Sequence, residues 1–342
     1  MNERELIEHI RQLTQPSGNG LIQGIGDDCA VIEKDRETVW LLTMDTLIES
    51  VHFNCTWHPP ELLGRKAVAV NISDIAAMGG RPLFVLLSLG LPVGFSTNWT
   101  SQLMRGITNA CAEQGCLLIG GDTVCSPAGV HLTLTVIGEM RKEQVLYRHG
   151  AEIDDVVWVS GPLGWSAAGL SLLQAGNVAD DPQWQQLIQT HLTPQPRTKL
   201  GQLLAETGLV HAMMDMSDGL ATDLAHICGQ SGVGATIKAH LLPGGSALVV
   251  AGELLGQDPL TWMVSGGEDY ELLFTSAETD SETLQRLVAE QGLTVHPIGT
   301  IRQGQGLRLI RSSMVEENIS FQGFDHFKKG ERSCTGTNAG SG

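Results

Sequence analysis

Five short acidic segments, each set beside glycine, serine or threonine at the end of an apolar run, constrain this chain more than any other feature. They are Gly26-Asp27-Asp28, Thr43-Met44-Asp45-Thr46, Asn71-Ile72-Ser73-Asp74, Gly120-Gly121-Asp122-Thr123 and Asp215-Met216-Ser217-Asp218-Gly219. Helical spacing puts Asn71 and Asp74 on one face, in a segment whose neighbours Ala67, Val70, Ala77 and Met78 read as core. Asp45 and Asp122 read as the ends of buried strands, the place from which side chains enter many α/β sites. Asp218 follows Ser217, which reads as a helix N-cap, so Asp218 alone could simply complement a helix dipole. Asp27 has a similarly plain account.

Jointly the segments say more. Two carboxylates ~4 Å apart repel by about 4 kcal/mol at an effective dielectric near 20, so four or five converging on one place require cations. Oxygen donors without a His or Cys pattern select hard ions such as Mg²⁺. A Mg²⁺ ion with open positions usually bridges to substrate phosphates, which points to phosphoryl transfer. The chain has no GxxxxGK[ST], HRD or DFG, and Gly18, Gly20 and Gly24 do not form GxGxxG. ATP would therefore be held by metal and by other glycine turns, Gly120-Gly121-Asp122-Thr123 first among them. Gly161-Pro162-Leu163-Gly164 reads as a plain turn.

At 342 residues the chain is about twice a typical domain, so two domains are expected. Strand-like runs at 38–43, 83–89, 117–119 and 130–137 alternate with helical segments at 61–78 and 98–113, an α/β or α+β order. A polar stretch at 141–155 precedes a second half with a strand at 156–160 and helices at 165–173 and 197–205. A Ser217-capped helix to 228, a strand at 270–275 and a helix at 281–291 follow. The expected division is 1–142, 143–329 and a disordered tail, 330–342. Methionines 213, 214 and 216 read as core.

Apolar residues are 42%, charged residues 17% and glycines 41 in number, which excludes disorder as the main state. With 21 Lys and Arg against 38 Asp and Glu, the net charge is -17, which disfavours nucleic acid and anionic membranes as partners. Seven cysteines without a CxxC pair suggest neither a disulfide framework nor a zinc site and fit a reducing cytoplasm. The N-terminus reads as an amphipathic charged helix, and the apolar run at 82–95 is too short to span a bilayer.

In order, GIGDDCAV, TMDTLIESVHF, GRKAVAVNISDIAAMGG, GGDT, DMSDGL, GGEDYELLF and GFDHF resemble the thiamine-monophosphate kinase family over roughly residues 20 to 328. That family belongs to a wider group with aminoimidazole ribonucleotide synthetase, selenophosphate synthetase and a hydrogenase-maturation dehydratase. GGDT and the DxSDG element are shared across much of that group; SDIAAMGG, GGEDYEL and GFDHF resemble the kinase in particular. No cysteine precedes Gly24 and the chain has no cysteine ending, unlike the selenium and hydrogenase relatives.

The resemblance implies ATP-dependent phosphorylation of thiamine phosphate to thiamine diphosphate. It also implies a homodimer whose N-terminal sheets join into a barrel, beside a mixed α/β C-terminal domain. Asp28, Asp45, Asp74, Asp122, Asp215 and Asp218 would be ligands of several Mg²⁺ ions, assisted by Thr43 and the backbone at Met44. Gly121, Asp122, Arg148 and Ser217 would contact ATP; His52, Glu268 and Phe324 would hold thiamine phosphate. A thiazolium cation would favour the Glu268 carboxylate. Three departures stand out: Met44 where the family often has Thr, His149 after the arginine, and Glu152-Ile153 before Asp154. The acceptor is a phosphate monoester already anionic at pH 7, so no general base is expected and transfer should be direct, without a phosphoenzyme. A rival of another class is a non-catalytic, acidic metal-binding or nucleotide-sensing dimer.

Overall fold

The computed structural model describes residues 3–14, 17–176, 181–311 and 316–321. Its strands are β1 (Leu21–Gln23), β2 (Ala30–Glu33), β3 (Thr38–Ile48), β4 (Arg81–Leu91), β5 (Leu117–Cys125), β6 (His131–Arg141), β7 (Val156–Val159), β8 (Val210–Asp215), β9 (Gly234–Lys238), β10 (Leu272–Ser276), β11 (His296–Arg302), β12 (Gly306–Ile310) and β13 (Glu316–Asn318). The helices are α1 (Glu3–Thr14), α2 (Pro60–Ala77), α3 (Thr97–Glu113), α4 (Trp165–Ala175), α5 (Gln185–Leu192), α6 (Thr198–Thr207), α7 (Leu220–Ser231), α8 (Gly245–Leu255), α9 (Pro259–Ser265) and α10 (Ser281–Glu290). Among them no helix is long and apolar enough to cross a membrane.

Two mixed sheets organise the chain. The first runs β1-β2-β3-β6-β4-β5, antiparallel except where β4 meets β5. The second runs β13-β12-β9-β11-β7-β10-β8, with β12 and β9 parallel. In β6 the buried residues Leu132, Leu134 and Val136 alternate with half-buried Thr133, Thr135 and Ile137, as period-two patterning demands of a sheet covered more fully on one face.

Helix α2 is the spine. Thirteen of its eighteen residues are buried, too many for a helix with a solvent face, and it packs on β3, β4 and β6 of one sheet, on β8 of the other, and on α3 and α6. Paired glycines set its approach to α3: a Cβ on Gly64 would sit 2.3 Å from the Leu103 carbonyl oxygen, and one on Gly106 would sit 2.0 Å from that of Glu61. The buried apolar residues around it join Leu41, Ile72 and Leu134 with Trp158, Met213 and Phe274 in one cluster, so the two sheets share a core through this helix. Met213, Met214 and Met216 are buried as expected.

Several expectations are corrected. Strand β3 continues to Ile48, so Asp45 lies inside the strand and not at its end. Strand β5 continues to Cys125 and is an exposed edge, so Asp122 neither ends a strand nor sits in a buried one. The glycines of 120–121 lie within that strand and make no phosphate turn. A Cβ on Gly121 would sit 1.7 Å from the Leu87 carbonyl oxygen, so the close approach of β4 accounts for the glycine. Ser217 does not cap α7, which begins at Leu220 behind Gly219; the buried Asp223 carboxylate accepts from the Gly219 amide at 3.0 Å instead. Strands β8 and β9 and helices α5, α8 and α9 were not distinguished as elements by their patterning. The proposed tail, 330–342, lies outside the described residues.

Candidate functional site

Four polar residues interrupt the apolar surface of α2, and each reaches a different partner. Asp74 accepts from the Thr43 hydroxyl on β3. Asn71 accepts from the Asp45 amide at 2.8 Å and donates to the Ala67 carbonyl. Ser73 donates to Asp215 at the end of β8, and Lys66 donates to Glu268 at 3.1 Å. Asn71 and Asp74 therefore reach toward the first sheet, and Ser73 and Lys66 toward the second half of the chain. The spacing of Asn71 and Asp74 foretold a shared face; Lys66 and Ser73 were missed, although a lysine inside an Ala/Val-rich helix is itself a signal of a buried partner.

Asp28, Asp74 and Asp215 come together from three distant segments, each offering a carboxylate oxygen within 4.8 Å of the others. Burial raises the Asp74 pKa well above the usual carboxylate range, with the charges of Asp45, Asp215 and Asp28 adding to it. Asp215 is pushed up to about 8 by burial and then by Asp28. Burial also raises Asp28 against the pull of Arg148, whose Nε donates to Asp28 Oδ1 at 3.1 Å. Asp27, raised to about 7 by burial and by Asp28, accepts from the Arg148 amide. At Arg148 burial opposes the charge, but Asp28 outweighs it and the guanidinium stays protonated. One oxygen, Asp28 Oδ2, is fully buried without a hydrogen-bond partner. A hard divalent cation would satisfy that oxygen and neutralise the cluster, and all the donors are oxygens.

The other expected residues are distributed as follows. Thr43 is adjacent to the cluster, and Asp45 is close enough to raise Asp74. Met44 points away, 64% exposed, so only its backbone faces inward. Asp218 neighbours Asp223, whose pKa it helps to raise after burial, rather than joining the three clustered acids. Ser217 accepts through its carbonyl from the Glu268 amide at 2.7 Å. Gly121 and Asp122 lie on β5, with β6 and β4 between them and β3, and Asp122 is exposed. His52 Nδ1 accepts from the Ile48 amide at 3.0 Å in the turn after β3. Phe324 lies outside the described residues.

The GGEDYEL segment divides its side chains among separate tasks. Glu268 meets Lys66. Asp269, pushed by burial up to about 7, accepts from the Gly164 and Ser166 amides at the start of α4, so the Gly161–Gly164 turn is a packed helix entry rather than a plain loop. Tyr270 is buried, and burial, then Glu268, Asp45, Asp215 and Asp74, raise its pKa. Glu271 pairs with Arg197 and accepts from Ser160. Two acids beside two glycines suit a substrate loop, and the resemblance assigns Glu268 to thiamine phosphate, but Asp269 is buried on the α4 amides and the sequence carried no signal for these packing partners.

Similarity to known proteins runs over nearly the whole chain. Residues 26–140 match the family described as AIR synthase related protein, N-terminal domain, and residues 152–312 match AIR synthase related protein, C-terminal domain. The thiamine-monophosphate kinase of Haemophilus influenzae is 36% identical over 333 residues, covering 96% of this chain and 99% of that protein. That of Bacillus subtilis is 36% identical over 334 residues, covering 96% and 100%. Among solved structures, AaThiL complexed with AMPPCP and TMP superposes with a TM-score of 0.84 at 32% identity, covering 95% of this chain and 97% of that one. Hydrogenase maturation protein HypE in complex with ATP, at 20% identity and a TM-score of 0.68, shares the fold. With this two-domain α/β architecture and near full-length similarity, the chain belongs to the thiamine-monophosphate kinase family.

Proposed function

We propose that this chain transfers the γ-phosphoryl group of ATP to the phosphate of thiamine phosphate, forming thiamine diphosphate and ADP in thiamine diphosphate biosynthesis. The convergence of buried Asp28 and Asp215 with half-buried Asp74 carries the reading, because acids so arranged suit a cation that meets phosphates. The solved relative with AMPPCP and TMP supports the two co-substrates.

Asp28, Asp74 and Asp215 would hold Mg²⁺ with Asp45, and Asp122, Asp218, Thr43 and the Met44 carbonyl complete the proposed ligand set for several ions. Bound Mg²⁺ supplies charge neutralisation to the phosphates of both substrates. Arg148, anchored on Asp28, is suited to face the nucleotide phosphates with Gly121, Asp122 and Ser217. His52, Glu268 and Phe324 are assigned to thiamine phosphate. The acceptor monoester has its second pKa near 6 and is already a nucleophilic anion at pH 7, so no residue need remove a proton. The protein's part is to align two polyanions for in-line attack, and transfer is direct.

The reading extends to a homodimer. One face of the first sheet carries Trp40, Leu42, Met44, Leu86, Thr135 and Ile137, half-buried or exposed in the single chain, and edge strand β5 exposes Leu117, Ile119 and Val124. A second copy covering this face, with the two sheets joined as a barrel, would remove that apolar surface from water and bring Asp122 and Gly121 of β5 to an interface. In this reading residues 1–142 form the ATP, metal and dimerisation domain and 143–329 the partner α/β domain, in a cytoplasmic enzyme. The cysteines at 29, 55, 111, 116, 125 and 228 are free thiols, in keeping with a reducing compartment.

The deciding experiment is incubation of the purified chain with MgATP and thiamine phosphate, with the products identified by mass. ATP binding without ADP and thiamine diphosphate formation would favour a nucleotide sensor.

A further inference from the structure

Lys66 is a lysine with no exposed side-chain surface, and its ammonium contacts Glu268 at 3.1 Å, a carboxylate 23% exposed and 202 residues away. A buried cation persists only where a partner compensates its lost hydration. The partner is held in place twice over. Glu268 adopts a left-handed backbone, φ 66°, uncommon for a residue with a side chain, and its amide is tied to the Ser217 carbonyl. On the side-chain end, Lys66 Nζ and His191 Nδ1, at 3.3 Å, both address Oε2.

Among the described residues, the side-chain contacts of this carboxylate pair it with one cation, Lys66. His191 is held neutral by burial and then by Lys66, and His58 is lowered to about 3 by the same two causes. One ammonium and one carboxylate remain, already matched. A carboxylate so paired has little net attraction left for a cationic ring, yet keeps lone pairs on an oriented group. Lys66 also stands eight positions before Asp74 on α2, about 12 Å along the axis at 1.5 Å per residue, so one rigid helix spaces the Glu268 contact from the carboxylate cluster.

We propose that Lys66 is a positioning residue of the acceptor subsite: it neutralises and aims Glu268, which then meets thiamine phosphate as an oriented hydrogen-bond acceptor for a donor such as the pyrimidine amine, not as counter-ion to the thiazolium. The proposal rests on the assignment of Glu268 to the acceptor in the function proposed above.

The test is steady-state kinetics on the full chain, following thiamine diphosphate formation with each substrate varied in turn. Lys66→Met keeps the length and removes the ammonium; KM for thiamine phosphate is expected to rise about tenfold or more, with KM for ATP within about twofold. An unchanged or lowered KM for thiamine phosphate overturns the proposal, the latter by showing that Lys66 competes with the thiazolium. The charge-balanced variant Lys66→Met/Glu268→Gln is expected to match Lys66→Met within about twofold, because a carboxylate no longer aimed has little left to lose; multiplying losses overturn it. Should Lys66→Met fail to fold, the wild-type chain decides. A thiamine phosphate analogue with a neutral thiophene in place of the thiazolium is expected to bind within about threefold of the parent, and binding weakened about thirtyfold overturns the proposal. Absence of thiamine diphosphate formation by the wild-type chain removes the underlying reading and the proposal with it, an outcome distinct from the kinetic ones.

Discussion

Replacing Asp215 by Asn deletes one charge from the carboxylate cluster while leaving an oxygen to accept from Ser73. At 4.8 Å, two ionised carboxylates repel by about 3.5 kcal/mol with an effective dielectric near 20, and Asp215 faces two of them. The metal-free protein avoids this by keeping protons, as the rise of Asp215 to about 8 expresses. The sign follows from linkage. A carboxyl whose folded pKa lies above its unfolded value of 3.8 binds its proton more tightly when folded, so its contribution is favourable below about pH 4 and is lost as pH rises toward 8. Full ionisation removes on the order of 5 kcal/mol. Asn carries none of this dependence. In urea unfolding with EDTA, the stability of Asp215→Asn relative to wild type should therefore grow by about 3 kcal/mol or more between pH 5 and pH 8.5. Millimolar Mg²⁺ should shrink the gap, because the ion stabilises the wild-type cluster. The same variant should turn over at least a hundredfold more slowly, by the proposed metal role. A stability difference that is flat with pH would refute the electrostatic reasoning, whatever happens to turnover.

Asp122→Asn should lower kcat by about a hundredfold with thermal stability unchanged, since Asp122 is exposed on an edge strand; near-normal turnover would remove it from the proposed ligand set. Ile119→Lys places a charge on the exposed edge of β5, where Ile119 is 55% exposed, and should shift the proposed dimer toward monomer by light scattering, whereas an unchanged mass would place any dimer interface elsewhere. Gly64→Ala forces a methyl against the Leu103 carbonyl and should cost about 2–3 kcal/mol in chemical denaturation, and a neutral result would mean that α2 and α3 separate easily.

The acidic segments and the local order of strands and helices were readable because they depend on near neighbours. Spacing alone put Asn71 and Asp74 on one face and made 61–78 a helix, found at Pro60–Ala77; alternation alone made 130–137 a half-buried strand, found at His131–Arg141. Most of what failed did so where a distant contact decides. Gly121 is a glycine because β4 passes against it, and Asp45 lies mid-strand because β6 pairs with β3 as far as Ile48; the Ser217 miss is local, since α7 starts only at Leu220, behind Gly219. The sequence by itself determined that several carboxylates need compensating charge. Only the tertiary structure decided which ones meet, Asp28, Asp74 and Asp215, and that Lys66 is spent on Glu268, because side chains up to 202 positions apart are brought within contact by α2 packed between the two sheets.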